Sequence, residues 1–216
     1  MTTIYLVRHG EVEGNTGAHR TFAGSRDLPL TPRGELQRQA VALRLAKIPL
    51  SAVYASTLQR AWRTAESIAA PHGVAVQQLE ALREVDYGAW EGLGEDEIVR
   101  DWLSLWRERV RDPWNVAPPN GESYQALWAR LEPAWNGIVE RNDGQTVAIV
   151  GHNGSLRLLL CELLGIPPAN ARCLSIGNAS LTKVRVGAVK DVRSGQLEGP
   201  PVVVEYINQT SHLEGI

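Results

Sequence analysis

The sequence predicts an α/β fold with three layers, in which a mostly parallel central sheet is covered by helices on both faces. Short apolar runs, each about the length of a buried strand, alternate along the chain with longer segments of helical periodicity. Neither an internal repeat nor a convincing linker interrupts this alternation. Because alternating strands and helices form parallel sheets with helices on both faces, we expect this architecture in one domain that spans residues 1–216.

The order of the elements follows from the same patterns. Thr31 and Pro32 are typical of the start of a helix, and Ser56, Thr57 and Ser123 are also good helix-start residues. Glycine and proline mark the ends, as in Gly165. The predicted strands cover residues 4–7, 52–55, 74–77, 146–150, 181–186 and 202–207, and the predicted helices cover 32–45, 57–70, 96–110, 124–141 and 155–164.

Composition bounds the function classes. The chain has 216 residues, of which 44% are hydrophobic, so it can bury one substantial core. A net charge of -2 and a pI of about 6.2 argue against a nucleic-acid partner. No apolar run approaches the length of a membrane span, and the N-terminus has no signal-peptide pattern. Cys161 and Cys173 fit no metal-binding motif, so we expect reduced thiols in a cytoplasmic protein without a metal or cofactor.

Histidines follow two of the predicted strands. His9 comes after the run at 4–7, and His152 comes after the run at 146–150. In open α/β sheets, sites form beyond the carboxyl ends of the strands. One histidine after a strand is usually an ordinary loop residue, but two of them on central parallel strands indicate a shared site.

Charged residues near other predicted strand ends could join this site. Arg60 lies one turn into a helix, whose N-terminal N–H groups suit a phosphate. Glu84 and Asp86 precede a glycine-rich turn, where a carboxyl group could act as general acid and base. Taken alone, each is better explained as an exposed surface charge.

Four ordered segments together resemble one family. LVRHGE, YASTLQRAWRTAE, LREVDYGAWEG and VGHNGSLRLLL closely resemble the histidine phosphatase superfamily, the phosphoglycerate mutase-like group, and in particular its phosphatase branch. The resemblance covers the chain from Ile4 to about Leu213. A single RHG motif is short and fallible, but four motifs in order with compatible spacing are specific.

This resemblance implies a role for each catalytic residue. His9 would be the nucleophile that becomes phosphorylated, and Arg8, Arg60 and His152 would hold the transferring phosphoryl group. Glu84 matches the family's proton donor, whereas Asp86 lies two residues away from that position. The chemistry requires no metal ion, because arginines and a second histidine can stabilise the charge.

The substrate-binding residues implied by the resemblance are more dispersed. They are Asn15, at the rim of the phosphate site, then Phe22, Ala23 and Gly24 in the loop after the first strand, Asn153, and His212 near the C-terminus. Many relatives have Ser-His-Gly-Gly where this chain has Gly151-His152-Asn153-Gly154, but the histidine is retained. The tryptophans at 90, 102, 106 and 114 either line a pocket over the phosphate site or belong to the core.

Three functions remain open at this point. The first is a metal-independent phosphomonoesterase that acts on a small phosphorylated metabolite through a phosphohistidine. The second is a cofactor-dependent phosphoglycerate mutase, and the third is a non-catalytic phosphate-binding module. Mutases of this family typically carry a longer insertion after the Glu motif, whereas here a short, lid-like segment of about 93–121 follows it. A more open site admits water, which favours hydrolysis. The identity of the substrate stays open, and so does the choice between a monomer and a homodimer.

Overall fold

The computed structural model describes residues 1–15, 20–187 and 202–216, within which six strands form one sheet and five α-helices surround it. The strands are β1 (Thr2–Arg8), β2 (Ala52–Ala55), β3 (Val76–Gln78), β4 (Thr146–Gly151), β5 (Leu181–Val186) and β6 (Val202–Gln209). The helices are α1 (Pro32–Leu45), α2 (Gln59–Ala69), α3 (Glu95–Arg111), α4 (Tyr124–Arg141) and α5 (Asn153–Leu164).

The sheet is mostly parallel, as predicted. Its strand order is β3-β2-β4-β1-β5-β6, with β1 to β4 parallel and the two C-terminal strands antiparallel at one edge. β1 and β4 are neighbours, and Arg8 is in register with Gly151. The residues that follow these two strands, His9 and His152, therefore leave the sheet side by side.

Side-chain alternation along β1 divides the core into two layers. Ile4 and Leu6 point to the face that is covered by α4 and α5, while Tyr5 and Val7 point to the face that is covered by α1 and α2. These side chains are almost fully buried. The three-layer α/β prediction is confirmed, because both faces of the sheet carry helices.

The start of α2 differs from the prediction. Ser56 and Thr57 do not cap this helix, which begins at Gln59. Instead, the carboxylate of Asp27 accepts a hydrogen bond from the Gln59 N–H at 2.7 Å, so a distant loop supplies the cap. By contrast, the hydroxyl of Thr31 accepts from the Gly34 N–H at 3.0 Å and caps α1 as predicted.

Residues 93–121 contain α3 and a loop rich in proline. Trp90, Ile98 and Trp106 form a small core of their own with Phe22 packed against them. The helix is interrupted at Trp102, whose φ of -136° and ψ of 37° are not helical. The last turn of α3 faces the sheet edge that carries His9, since Trp106, Arg109 and Val110 share one cavity with that histidine. Action of this segment as a lid stays a prediction.

Within the described part of the chain, no helix is long and apolar enough to cross a membrane. The same residues contain no cluster of three or more His, Cys, Asp or Glu side chains placed to hold a metal ion.

Candidate active site

His9 and His152 lie together at the carboxyl edge of the sheet. Their ring centroids are 5.0 Å apart, and both side chains are buried. The backbone around His9 is held on two sides, because its N–H donates to the Gly151 carbonyl at 3.1 Å and its carbonyl accepts from Ala179. The sheet therefore fixes the position of the first imidazole before any ligand binds.

The hydrogen bond of the His9 ring determines which nitrogen is free to react. Nδ1 lies 2.6 Å from the carbonyl oxygen of Gly10. A carbonyl oxygen can only accept, so Nδ1 carries the proton and the lone pair is on Nε2. Burial, followed by the charges of Arg60 and Arg8, holds the pKa of His9 well below its usual 6.5. His9 is thus a neutral imidazole with a nucleophilic Nε2.

Gly10 leaves space for the first helix. A Cβ atom at this position would lie 2.6 Å from the carbonyl oxygen of Gly34 in α1, which is closer than packed atoms approach. The glycine after His9 therefore serves the packing of α1 against the end of β1, in addition to ending the strand.

Two arginines of the site are held by backbone carbonyls instead of carboxylates. Arg8 donates from Nη1 to the Ile176 carbonyl at 2.7 Å, and Arg60 donates to the carbonyls of Arg26 and Gly24 at 2.5 and 2.7 Å. Burial is the main reason that the pKa of Arg8 is lowered to about 10 and the pKa of Arg60 is also lowered. Both guanidiniums keep a positive charge that no carboxylate pairs with among the described residues.

His152 is fully buried behind His9, and neither of its ring nitrogens has a hydrogen-bond partner in the described chain. Burial and the charge of Arg60 hold its pKa well below 6.5. Buried polar atoms are almost always hydrogen-bonded, and the ring nitrogens of His152 lie next to His9 with no such bond to the described residues. An oxygen of a phosphoryl group is a partner of the right kind.

Glu84 is held by the first turn of α5. Its Oε2 accepts from the Gly154 N–H at 2.9 Å, while its Oε1 accepts from the N–H groups of Ser155 and Val85 at 2.9 and 3.0 Å. A Cβ at position 154 would lie 2.6 Å from Oε1, so only glycine leaves room for this carboxylate. Asn153 and Gly154 belong to α5, which begins two residues earlier than the predicted residue 155.

Asp86, the alternative proton donor, lies outside the cavity. Its Oδ1 accepts from the Gly88 N–H at 2.7 Å and stabilises the turn that follows. Glu84 is the carboxylate that lines the cavity with His9.

A cavity of about 390 Å³ opens above these groups. It brings together most of the residues proposed from the sequence: Arg8, His9, Asn15, Phe22, Ala23, Gly24, Arg60, Glu84 and Asn153. His152 lies beneath this surface, in contact distance of the His9 ring.

The structure does not bring His212 into this cavity. A ring nitrogen, Nε2, lies 2.9 Å from the carbonyl oxygen of Ala179, and the side chain is part-buried. The neighbouring Leu213 packs with the core on the α1 and α2 face of the sheet. Contact of His212 with the substrate stays a prediction: the C-terminal turn packs against the fold and points this ring at a backbone carbonyl.

Apart from Trp106, for which the sequence left a pocket position open, the remaining wall of the cavity is not evident from the sequence. It contains Tyr87, Trp106, Arg109 and Tyr124, together with Arg157 from α5. Of the tryptophans, Trp106 lines the cavity, whereas Trp90 is fully buried in the small core. Arg157 lies within one of the four motifs, three residues after Gly154. This position was the signal in the sequence that could have identified it as a residue of the site.

Comparison with known proteins places these features in one group. Residues 4–192 match the model of the histidine phosphatase superfamily (branch 1). A probable phosphoglycerate mutase, GpmB, of Salmonella arizonae is 33% identical to this chain, and the match covers 99% of this chain and 96% of the length of GpmB. Among solved structures, YhfR of Bacillus stearothermophilus is 32% identical with a TM-score of 0.84, covering 99% of this chain and 100% of that one. A mycobacterial glucosyl-3-phosphoglycerate phosphatase is 28% identical with a TM-score of 0.82, covering 96% and 99%.

Proposed function

Because the chain belongs to the histidine phosphatase superfamily, we propose that it is a metal-independent phosphomonoesterase that hydrolyses small phosphorylated metabolites through a phosphohistidine on His9. The observation that carries this proposal is the state of His9: its Nδ1 proton is held by Gly10, and its free Nε2 lies beside two arginines without carboxylate partners. A neutral nucleophile next to unpaired positive charge suits attack on a phosphoryl dianion.

In the first step, Nε2 of His9 attacks the phosphorus atom. The N–P bond forms as the bond from phosphorus to the ester oxygen breaks, and a proton from Glu84 passes to that leaving oxygen. Oε2 of Glu84 accepts a single N–H, so this oxygen has room for the proton. Arg8 and Arg60 stabilise the charge on the three equatorial oxygens.

In the second step, water replaces the leaving group. The Glu84 carboxylate takes a proton from this water, and the resulting oxygen attacks phosphorus while the N–P bond breaks. Inorganic phosphate leaves, and both His9 and Glu84 return to their starting states. His152 stays neutral, because its pKa is lowered by burial, and its ring can donate one N–H to a phosphoryl oxygen.

The second candidate function is a phosphoglycerate mutase, which the similarity to GpmB favours. A mutase must return the phosphoryl group to a bound intermediate and keep water out. The short segment between Gly92 and Glu122 supports hydrolysis over this alternative. A non-catalytic binding module is the weakest candidate, because a nucleophile, two arginines and a carboxylate share one cavity. We also propose a cytoplasmic location, since Cys161 and Cys173 are free thiols.

One assay separates the candidates. The protein is supplied with 3-phosphoglycerate, with and without a bisphosphoglycerate primer, in excess chelator, and both free phosphate and 2-phosphoglycerate are measured. We expect phosphate release to exceed isomerisation, with no loss of activity in chelator. Faster isomerisation than hydrolysis would establish the mutase, and a strict need for a metal ion would exclude the mechanism.

A further inference from the structure

The cavity carries more positive charge than one phosphoryl group requires. Six arginines line it against two glutamates, Glu84 and Glu95. The arginines are Arg8, Arg20, Arg60, Arg109, Arg157 and Arg172. Arg8 and Arg60 accompany His9 at the floor, and a phosphoryl dianion would neutralise these two. Of the other four arginines, those that pair with no carboxylate among the described residues have charge available to a different part of the ligand.

Arg109 is a buried cation on the last turn of α3. Its side chain is 6% exposed, and Nη1 donates to the carbonyls of Pro113, at 3.2 Å, and of Val116. Burial lowers its pKa, and no carboxylate forms an ion pair with it in the described chain. Buried charges are normally paired, so an arginine that lines a cavity without a carboxylate partner is placed to bind an anion.

Arg157 approaches the same space from α5. Its Nε donates to the Leu174 carbonyl at 2.7 Å, which fixes the side chain, and its two Nη atoms have no partner among the described residues. Arg157 also lies near the floor, since its charge helps to lower the pKa of Arg8. The free end of this guanidinium can therefore bind a group that is attached to the phosphoryl oxygen.

Two tyrosines stand between these arginines. Tyr87 and Tyr124 line the cavity, and the charges of Arg109 and Arg157 both act on both phenols. The Arg109 guanidinium carbon lies 5.2 Å from the centre of the Tyr124 ring. Burial raises the pKa of each tyrosine above 10, so both hydroxyls stay protonated as donors. Neither hydroxyl donates to another described residue.

Arg172 differs from Arg109 and Arg157, because its guanidinium already has a carboxylate partner. It pairs with Glu95 at 3.7 Å and lies over the Trp106 ring at 4.7 Å. This guanidinium closes the outer wall of the cavity, and its charge is balanced.

We infer that Arg109, Arg157, Tyr87 and Tyr124 form a second anion subsite, which rests on the proposed function and binds a carboxylate or a second phosphate on the leaving group of the phosphomonoester. Two guanidiniums and two protonated phenol hydroxyls can all donate hydrogen bonds, which is what an oxyanion needs. The preferred substrate then carries two anionic groups, one over His9 and one against the wall formed by α3 and α5.

The test compares ligands that differ in the distal group alone. Affinities are measured by calorimetry on the His9→Ala variant, which cannot turn the ligands over. Glycerol 3-phosphate has a neutral hydroxymethyl group where 3-phosphoglycerate has a carboxylate, and glycerol 1,3-bisphosphate carries a second phosphate at this position. We expect at least about tenfold tighter binding of one of the two ligands with a distal anionic group than of glycerol 3-phosphate, from charge-assisted hydrogen bonds. Comparison of these two ligands then distinguishes a carboxylate site from a phosphate site.

Variants assign the preference to this wall. Arg157→Gln and Arg109→Lys, each in the His9→Ala background, are expected to reduce the ratio of affinities for the ligands with a distal anionic group and for glycerol 3-phosphate by about tenfold. Arg107→Gln is the matched control. It replaces an exposed arginine on the same helix, α3, and should keep the affinity ratio. Arg157 is less buried than Arg109, so its variant remains informative if Arg109→Lys fails to fold.

The outcomes separate this subsite from the proposed reaction. Equal affinity for glycerol 3-phosphate and for both ligands with a distal anionic group, or an unchanged affinity ratio in Arg157→Gln, overturns the subsite. Because binding to His9→Ala needs no turnover, a preference that persists while the wild type hydrolyses none of the three ligands or p-nitrophenyl phosphate supports the subsite and rejects the phosphatase. Hydrolysis of p-nitrophenyl phosphate without any preference supports the phosphatase and rejects the subsite.

Discussion

The floor and the wall of the cavity are built in different ways. At the floor, His9 and His152 directly follow neighbouring parallel strands, and backbone carbonyls hold Arg8 and Arg60. The wall is assembled from side chains of the 80s loop, α3, α4 and α5, such as Tyr87, Arg109 and Tyr124. The two histidines and Arg8 are thus anchored to the sheet, whereas the wall side chains come from a loop and from helices around the sheet.

This difference assigns separate tasks to the two regions. Groups that are fixed by the sheet can hold a reacting phosphoryl group within a few tenths of an ångström, which phosphoryl transfer needs. Groups on α3 and its loop can differ in position and charge without disturbing those strands. We therefore expect floor variants to reduce turnover of every ester alike, and wall variants to change the preference among esters.

The largest effect is expected at His9. In His9→Ala no nucleophile remains, so hydrolysis of p-nitrophenyl phosphate should fall by at least about a thousandfold. Initial rates with several esters measure this loss, and circular dichroism checks that the variant is folded. Retention of more than a few per cent of wild-type activity with any ester would mean that the floor does not carry the chemistry.

Arg60→Lys is expected to have the next largest effect. Lysine keeps the charge but cannot reproduce the two directed hydrogen bonds to Arg26 and Gly24, and it loses the planar fork. We expect kcat/KM to fall by about a hundredfold for esters with a charged leaving group and for esters with a neutral one alike. Arg63→Lys, on the exposed side of the same helix, is the control and should leave kcat/KM unchanged. A loss of kcat/KM with one ester alone would mean that Arg60 acts in the choice among esters, as proposed for the wall residues.

Gly154→Ala tests whether catalysis depends on the position of the Glu84 carboxylate. The new methyl group would lie 2.6 Å from Oε1 and must displace the carboxylate, so kcat should fall by about tenfold or more as the proton donor shifts. Gly137→Ala in α4 meets only the end of Arg141, at 3.2 Å, and should leave kcat unchanged. Wild-type kcat in Gly154→Ala, together with a normal thermal midpoint, would remove Glu84 from the mechanism.

The smallest effect is expected in the pH dependence of stability. The pKa values of His9 and His152 are lowered in the folded protein, whereas an unfolded histidine titrates near 6.5. Their contribution to the free energy of unfolding is complete above about pH 6.5. Below this pH the unfolded chain binds protons that the folded protein does not, so stability falls by up to about 1.4 kcal/mol per pH unit for each histidine.

Urea denaturation between pH 5 and pH 8 measures this slope. A His9→Gln, His152→Gln double variant should show a shallower decline below about pH 6.5 than the wild type. Identical pH dependence in the two proteins would contradict the assignment of both floor histidines as buried and neutral.

Much of the floor could be predicted from the sequence, because it depends on local patterns. An apolar run followed by His9, and another followed by His152, place both rings at one edge once the two strands are parallel neighbours. Arg60 and Glu84 were identified through motifs, and both line the cavity.

Contacts between distant segments could not be predicted in this way. The Glu84 carboxylate is held by N–H groups about seventy residues later, and Asp27 caps a helix that begins at Gln59. No local pattern encodes either pairing. The position of the His212 ring could not be predicted for the same reason, since the packing of Leu213 against the core decides where the C-terminal turn lies.

The most direct test is to trap the phosphorylated enzyme. The wild type is mixed with a ³²P-labelled phosphomonoester, quenched in denaturant at alkaline pH within milliseconds, and analysed by peptide mass spectrometry. A phosphoryl group on the His9 imidazole, labile to acid and absent from His9→Ala, is the predicted result. A label on another residue, or hydrolysis that proceeds in the absence of any label, would contradict the central claim that His9 carries the phosphoryl group.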